Sequence, residues 1–166
     1  SLTAAFFESE QTVASKDDIT GEDVDIKGLT VDGFEAELKG NLTDKFSLVA
    51  GFTAMDGETS SGGEPREIPD QMLTLYGTYE ISDKAGVAFG FTKQGESSIK
   101  NNKPDLILPS YTRFDMAAYY NISDDLVLRF NVENLTDELY FPHSHSTHQA
   151  SVGEEKNVRV SISKKF

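Results

Sequence analysis

The sequence predicts an all-β chain that folds as an antiparallel transmembrane β-barrel. Two observations support this: eight segments alternate apolar and polar residues, and the segments are joined by short turns on one side and long loops on the other. In the last segment the apolar residues Val158, Val160 and Ile162 occupy every second position (one parity), and the polar residues Arg159 and Ser161 lie between them (the other parity). A period of two residues is typical of a β-strand, because an α-helix repeats every 3.6 residues.

The eight predicted strands are long enough to cross a bilayer. They lie at residues 1–14, 27–40, 45–56, 70–81, 86–98, 110–122, 125–137 and 154–166. A membrane-crossing strand needs about 9–11 residues, whereas strands in soluble sheets usually have about 5–6. The polar parity carries charges in mid-strand, including Glu35, Arg113 and Arg129, which suit a water-filled lumen. The pattern therefore disfavours a soluble β-sandwich.

Three short turns with related sequences join pairs of predicted strands. They read LTDK at 42–45, ISDK at 81–84 and ISDD at 122–125. Thr, Ser and Asp suit tight turns because their side chains bond to nearby backbone amides. The opposite connections run through long polar segments near 15–27, 57–70, 98–109 and 138–153. This asymmetry is typical of outer-membrane barrels, which have short periplasmic turns and long extracellular loops.

Composition excludes several classes of function. A formal net charge of −13 argues against a nucleic-acid partner, and the absence of cysteine excludes disulfides and thiolate-bound metals. No apolar run approaches the roughly 18 residues of a transmembrane helix. The mean hydropathy of −0.40 is compatible with a barrel, whose lumen-facing residues are polar. The chain starts directly in an apolar stretch, LTAAFF at 2–7, so we expect a fragment of a longer protein.

Four segments resemble sequence patterns of TonB-dependent siderophore receptors. Residues 31–38 read VDGFEAEL and are followed by GFT at 51–53, similar to the family's G-F-E-x-E-L and G-Y-T. Residues 109–115 read PSYTRFD, which resembles P-x-Y-x-x-x-D. Residues 128–140 read LRFNVENLTDELY, which resembles the L-x-x-N-V-x-N-L-x-D-x-x-Y that precedes the last extracellular loop.

The end of the chain adds to this resemblance, with one departure. The closing alternation to Phe166 is similar to the C-terminal strand by which outer-membrane barrels are recognised for assembly. The family usually has Gly-x-x-Arg near the start of that strand, whereas Gly153 is followed here by Lys156. Lysine keeps the charge and loses the planar fork of donors that arginine offers.

The resemblance implies that residues 1–166 are the C-terminal portion, the last eight strands, of a 22-stranded barrel in the bacterial outer membrane. The plug, the TonB-contacting segment and the signal peptide would lie upstream. The implied function is TonB-dependent uptake of a ferric siderophore, with the siderophore, outer-membrane lipid and TonB as partners. We expect no enzymatic activity and no resident cofactor, since the sequence contains no nucleophile elbow, supported catalytic triad or phosphate loop.

The candidate ligand contacts concentrate in one predicted extracellular loop. Residues 140–148 read YFPHSHSTH and contain all three histidines of the chain. We expect ligand contact from these positions and from one arginine in the 57–70 loop: Tyr140, Phe141, His143, His145, His148 and Arg66. Imidazoles also suit Zn, Cu, Ni or Fe. No carboxylate or thiol is interleaved, however, so a solvated polar loop is the simpler interpretation.

Two further functions remain open from the sequence. One is a haem receptor of the same superfamily, for which the histidine loop is the only argument. The other is a complete eight-stranded barrel with an adhesin or structural role, since eight is an allowed even number. A barrel of that size fills its lumen with side chains, and Gly51, Gly77, Gly90 and Ala117, on candidate inner faces, would fill it poorly.

Overall fold

The computed structural model describes residues 1–166, apart from the side chain of Ser146. Its strands are β1 Leu2–Lys16, β2 Asp23–Asn41, β3 Phe46–Thr59, β4 Gln71–Ser82, β5 Ala85–Gln94, β6 Ser97–Ser98, β7 Ile107–Leu108, β8 Tyr111–Ser123, β9 Leu126–Glu133, β10 His143–Ser144, β11 Ala150–Ser151 and β12 Asn157–Lys164. A 3₁₀ turn, Ser146–His148, lies between β10 and β11. Among the described residues, no helix has the length and apolar character to cross a membrane.

The eight long strands form one antiparallel sheet in the order β1-β2-β3-β4-β5-β8-β9-β12. Each long strand therefore pairs with the long strands before and after it in the chain, and the eight predicted strands are confirmed. The four two-residue strands form separate ladders inside the long loops, β6 with β7 and β10 with β11. The sequence did not predict these ladders.

Over the middle of the sheet the register keeps apolar side chains on one face, and towards the loop end of β1–β3 the same face becomes acidic, with Asp32 opposite Glu8 and Asp56. Phe6 lies opposite Phe34 in the β1–β2 pair, with ring centroids 5.1 Å apart. Phe130 lies opposite Val160 in the β9–β12 pair at the other edge. Opposed residues in an antiparallel pair project from the same face. The other face carries polar residues, for example where Glu35 lies opposite Thr53.

The apolar face is exposed on the sheet. Phe6 is 87% exposed, Val160 62% and Ile162 67%. Among the described residues, few apolar side chains are buried: Pro65, Pro69, Leu108, Val132 and Tyr140. A soluble β-sandwich would cover one face with a second sheet, whereas this face has no protein on it. An apolar band of this kind is compatible with contact to lipid.

The three short turns use the side-chain chemistry that their sequences predict. The Thr43 hydroxyl accepts hydrogen bonds from the amides of Lys45, at 3.2 Å, and Phe46, at 3.0 Å. The Ser82 hydroxyl accepts a bond from the Lys84 amide at 3.3 Å. The Ser123 hydroxyl donates to the Asp125 carboxylate at 2.6 Å. Each turn also accepts one backbone bond from the next strand, as where the Glu80 amide donates to the Lys45 carbonyl at 2.8 Å.

The predicted loop at 15–27 is wrong over most of its length. β1 continues to Lys16 and β2 begins at Asp23, and these two residues face each other across the ladder. Alternation in fact continues here, since Val24 and Ile26 lie opposite Ser15 and Val13 across the ladder. The charged residues between and around them gave the segment the composition of a loop. In the remaining turn, Asp17 accepts hydrogen bonds from the amides of Ile19 and Thr20. The Thr20 amide contributes most to lowering the pKa of Asp17 below its ordinary value.

The two faces predict opposite responses to a charge. Leu75 lies on the apolar face between Ala50 and Phe91, whereas Thr74 lies on the polar face between Gly51 and Thr92. We expect Leu75→Arg to lower the free energy of unfolding in a bilayer by about 2–4 kcal/mol, because lipid does not solvate a guanidinium. The measurement is urea unfolding of the receptor that contains this chain, reconstituted in lipid vesicles.

Thr74→Arg is the matched control, because it places the same charge one residue away on the polar face. We expect it to cost less than about 1 kcal/mol, in line with the weak effect of lumen substitutions. Equal losses for the two variants would contradict the assignment of the faces.

Candidate ligand-binding end of the sheet

Three long loops come together at one end of the sheet. They are residues 60–70, 95–110 and 134–156, and we call them the loop cluster. The 60–70 and 95–110 loops are joined by backbone bonds, since the Glu67 amide donates to the Ser98 carbonyl at 2.7 Å and the Asn102 amide donates to the Glu64 carbonyl at 2.8 Å. These two loops therefore form one structure instead of two independent tips.

Side chains strengthen the same junction. The Ser98 hydroxyl donates to the Glu64 carboxylate, and Ser97 and Ser98 are both buried. The Asn101 side-chain oxygen accepts a bond from the Arg66 amide at 2.8 Å. Buried polar groups are costly unless they are bonded, so these contacts hold the two loops in a defined arrangement.

Glu67 connects the 60–70 loop to the 134–156 loop. Its carboxylate accepts a hydrogen bond from the Ser144 amide at 2.7 Å, across 77 residues of sequence. The Arg66 guanidinium lies 3.3 Å from the other carboxylate oxygen. Two of the predicted ligand residues, Arg66 and His143, are each adjacent in sequence to this contact. The structure thus brings together two loops that the sequence placed far apart.

Asn134 anchors the base of the 134–156 loop. It is 1% exposed, and its backbone adopts a φ of 50°. Its side-chain NH₂ donates to the carbonyls of Glu138, at 2.9 Å, and Glu154, at 3.0 Å, while its side-chain oxygen accepts from the Glu138 amide at 2.9 Å. Asparagine suits this position because it tolerates positive φ and offers both donors and an acceptor.

The Asn134 anchor extends to β8 through Asp115. The Asp115 carboxylate accepts a hydrogen bond from the Asn134 amide at 2.8 Å and one from Arg113 at 2.9 Å. The Arg113 guanidinium also donates to the Tyr140 hydroxyl at 3.0 Å. Residues 109–115 and 128–140, which resemble family patterns separately in sequence, therefore form one network.

Tyr140 belongs to this network and is 6% exposed. Its ring packs against Tyr111 with centroids 4.6 Å apart, and Gly153 lies directly against the same ring, where a Cβ would collide. Tyr140 therefore has a structural role at the base of the loop, and its contact with a ligand stays a prediction. Phe141, the next residue, is only partly exposed.

The remaining histidines lie at the tip of the same loop. His145 Nδ1 and His148 Nε2 are 3.3 Å apart, and the two rings meet edge to face with centroids separated by 5.2 Å. Both side chains are exposed, as is His143 on β10. The structure thus brings His145 and His148 into direct contact.

An open cleft of about 500 Å³ lies on the polar face beside the loop cluster. Its sheet side is lined by residues of β1, β2 and β3, including Gln11, Leu29 and Thr59. Its loop side is lined by Arg66, Asn101 and Asn102, among others. The lining therefore supplies a guanidinium and several amides, which are hydrogen-bond donors for an oxygen-rich ligand.

The sequence did not identify Asp115, Asn134 or Glu67 as important to this end of the sheet. Asp115 and Asn134 are fixed positions of the two family patterns, which was a usable signal. Glu67 had no local signal, because its partner Ser144 is distant in sequence.

Replacing Asn134 tests the anchor. We expect Asn134→Ala to leave three backbone groups without their side-chain partner, at about 1–3 kcal/mol each. The 134–156 loop should then open locally, and its cleavage by a protease in the folded receptor should accelerate at least about tenfold, which corresponds to about 1.4 kcal/mol. The measurement is limited proteolysis with mass-spectrometric assignment of the cuts.

Asn121→Ala is the control, because Asn121 lies at the short-turn end of β8, where it pairs with Val127. We expect its cleavage pattern to match that of the unmodified receptor. If both variants were cleaved at the same rate, Asn134 would not be the anchor of the loop.

Comparison with known proteins identifies the family of this sheet. The family model described as "TonB dependent receptor-like, beta-barrel" matches residues 3–135. A curated relative, the probable TonB-dependent siderophore receptor PiuA of Acinetobacter baumannii, is 30% identical over 186 aligned residues, which cover 99% of this chain and 24% of the relative.

Solved structures agree in fold. The crystal structure of PiuA from Acinetobacter baumannii superimposes with a TM-score of 0.84 at 28% identity, covering 99% of this chain and 26% of that one. The ferripyoverdine receptor of the outer membrane of Pseudomonas aeruginosa, bound to ferripyoverdine, gives a TM-score of 0.82 at 28% identity, with 99% and 25% covered.

This chain thus spans about a quarter of the length of the relatives it matches. The resemblance predicted from residues 31–38, 109–115 and 128–140 is confirmed, and so is the predicted outer-membrane location. The total of 22 strands and the assignment of residues 1–166 as the C-terminal portion stay predictions. With its continuous apolar face and its long loops at one end, this chain belongs to the TonB dependent receptor-like β-barrel family of outer-membrane proteins.

Proposed function

We propose that this chain is the C-terminal portion of an outer-membrane receptor that imports a ferric siderophore in a TonB-dependent manner. The observation that carries the proposal is the cleft beside the loop cluster, on the polar face of a sheet whose other face is apolar. The relatives support it, because the PiuA and ferripyoverdine proteins are described as siderophore receptors.

The chemistry of the cleft fits a chelate that presents oxygen atoms. Hydroxamate, catecholate and carboxylate groups are acceptors when they hold iron, so they need donors from the protein. Arg66 supplies a charged fork, and Asn101 and Asn102 supply amide groups at the same wall. Such contacts orient the chelate without replacing the ligands of its iron.

In the proposed receptor the faces and the loops of the sheet have different roles. The apolar side chains on the lipid-facing side of the strands hold the chain in the membrane. The anchored loops present the cleft at the outer end. TonB would act through a plug that this chain does not contain. Nothing in this role requires catalysis, and the relatives are transport receptors.

Two alternatives are less well supported. A haem iron between two imidazoles needs the whole macrocycle to lie between the rings, with the ligand nitrogens about 4 Å apart. His145 and His148 instead meet in direct edge-to-face contact, with Nδ1 and Nε2 3.3 Å apart. A complete eight-stranded barrel needs its first and last strands to pair with each other. In the described sheet β1 and β12 are instead the two edges.

Both alternatives stay predictions of the sequence.

The direct test is transport by cells of the source organism. We expect deletion of the gene for the receptor that contains this chain to abolish uptake of ⁵⁵Fe from at least one hydroxamate, catecholate or mixed siderophore. A protonophore should abolish the same uptake in unmodified cells while surface binding persists, because the energy arrives through TonB. Uptake that is independent of the gene for every chelate in the panel would contradict the proposal.

Arg66→Gln tests the cleft within that receptor. We expect the Kd for the transported chelate to rise about tenfold, since a hydrogen bond to a charged group contributes about 1.5–3 kcal/mol. Lys100→Gln is the matched control, because it removes a cation from the neighbouring loop outside the cleft lining. Equal effects of the two substitutions on Kd would show that general charge, and not the cleft, governs binding.

A further inference from the structure

We propose that His145 and His148 form a two-imidazole binding site for a divalent transition-metal ion such as Cu²⁺, Ni²⁺ or Zn²⁺. The site goes beyond siderophore transport and does not depend on it. The primary observation is the distance of 3.3 Å between His145 Nδ1 and His148 Nε2, on two exposed rings.

This distance matches the spacing of two ligands on one ion. With metal–nitrogen bonds of about 2.0–2.1 Å, two nitrogens at the tetrahedral angle are about 3.3–3.4 Å apart. Ligands at a right angle are about 2.9 Å apart on the same bond lengths. The pair therefore needs only a small rotation of exposed side chains to direct both lone pairs at one ion.

The local fold explains why these two histidines meet. His145 precedes the 3₁₀ turn Ser146–His148, and His148 is its last residue. The turn has about three residues per repeat, so it brings His148 back beside His145, the residue that caps the turn with a backbone outside the helical region. In the sequence the two histidines are simply three residues apart. This spacing alone does not distinguish a metal-binding site from an ordinary polar loop.

The turn is held at its base, so the pair is partly organised before an ion binds. The His145 amide donates to the Gln149 carbonyl at 2.8 Å, closing the hairpin whose strands are β10 and β11. Below it the buried Ser144 is bonded to Glu67. The backbone on both sides of the imidazoles is therefore fixed, and an ion has only side-chain torsions left to order.

The neutral pair and the metal-bound pair differ in where a proton lies. Without an ion, one imidazole N–H lies between the two nitrogens as a hydrogen bond. An ion takes the lone pairs of both nitrogens, so the ring that carried that proton must hold it on its other nitrogen, and the charge of each ring is unchanged. The exchange needs no oxidant or further reactant.

The site would be open and exchangeable. Among the described residues, no group of three or more His, Asp or Glu side chains is arranged to hold a metal ion. Two protein ligands leave the other coordination positions to water or to the donor atoms of a small chelator. Imidazole ligands favour Cu²⁺ over Ni²⁺ and Zn²⁺, so the pair is suited to capturing copper or a partly chelated metal at the tip of the loop.

The test uses the purified, metal-free receptor that contains this chain, titrated with CuCl₂ and then with NiCl₂. We expect a saturable Cu²⁺ site that binds more tightly than Ni²⁺, with an electron paramagnetic resonance spectrum that shows two imidazole nitrogens. His145→Gln and His148→Gln should each weaken Cu²⁺ binding at that site by about tenfold or more and remove one nitrogen from the spectrum.

His143→Gln is the matched control, since His143 lies on the same hairpin outside the pair. We expect it to keep both nitrogens and to change the Cu²⁺ affinity by less than about twofold, a small fraction of the loss expected for a direct ligand. Heat-modifiable migration of each variant in a gel reports whether the barrel has folded. Unchanged Cu²⁺ binding in folded His145→Gln and His148→Gln, or an equal loss in His143→Gln, would overturn the proposal.

Discussion

The antiparallel ladder that joins eight strands, with register shifts only towards the strand ends in the pairs β1–β2, β4–β5 and β8–β9, is the constraint on which the rest of this structure depends. In lipid each backbone N–H and C=O must find its partner within the sheet. The register must also keep the apolar residues of neighbouring strands on the same face, because a slip by a single residue moves them to the other face. The pairs Phe34↔Ala54, Leu75↔Phe91 and Phe130↔Val160 show the same parity from one edge of the sheet to the other.

The two ends of the sheet solve the problem of turning the chain in different ways. The short turns rely on neighbours in sequence, such as the Thr43 hydroxyl and the Phe46 amide. The long loops rely on distant partners, such as Glu67 with Ser144 and Asn134 with Asp115. This gives the loop cluster a fixed, partly buried base and leaves its cleft and its histidine tip open, which is what capture of a ligand from solution requires.

The fold and the ligand of this family place different demands on the sequence. Any apolar side chain is suitable at a lipid-facing position, so these positions can change without changing the sheet. The sheet therefore superimposes on PiuA with a TM-score of 0.84 although only 28% of the residues are identical. A ligand contact instead needs a particular group, such as the guanidinium of Arg66, at a particular place in a loop. The family is therefore evident from the sheet, and under the proposed function we expect the loops to set the choice of chelate.

The sequence by itself determined the fold class, the eight strands, the faces and the alternation of short turns with long loops, because a period of two residues and a Ser-Asp turn are local signals. The tertiary structure alone decided where the strands end. β9 stops at Glu133 because Asn134 turns to positive φ and bonds to Glu138 and Glu154.

Only the structure, too, could place the candidate ligand residues. Tyr140 is buried against Tyr111, Arg66 lies at the cleft, and His145 meets His148 at the tip. These outcomes depend on contacts between loops that are far apart in the chain. Such contacts leave no periodic trace in the sequence, since they arise only when the ladder has brought the ends of the strands together.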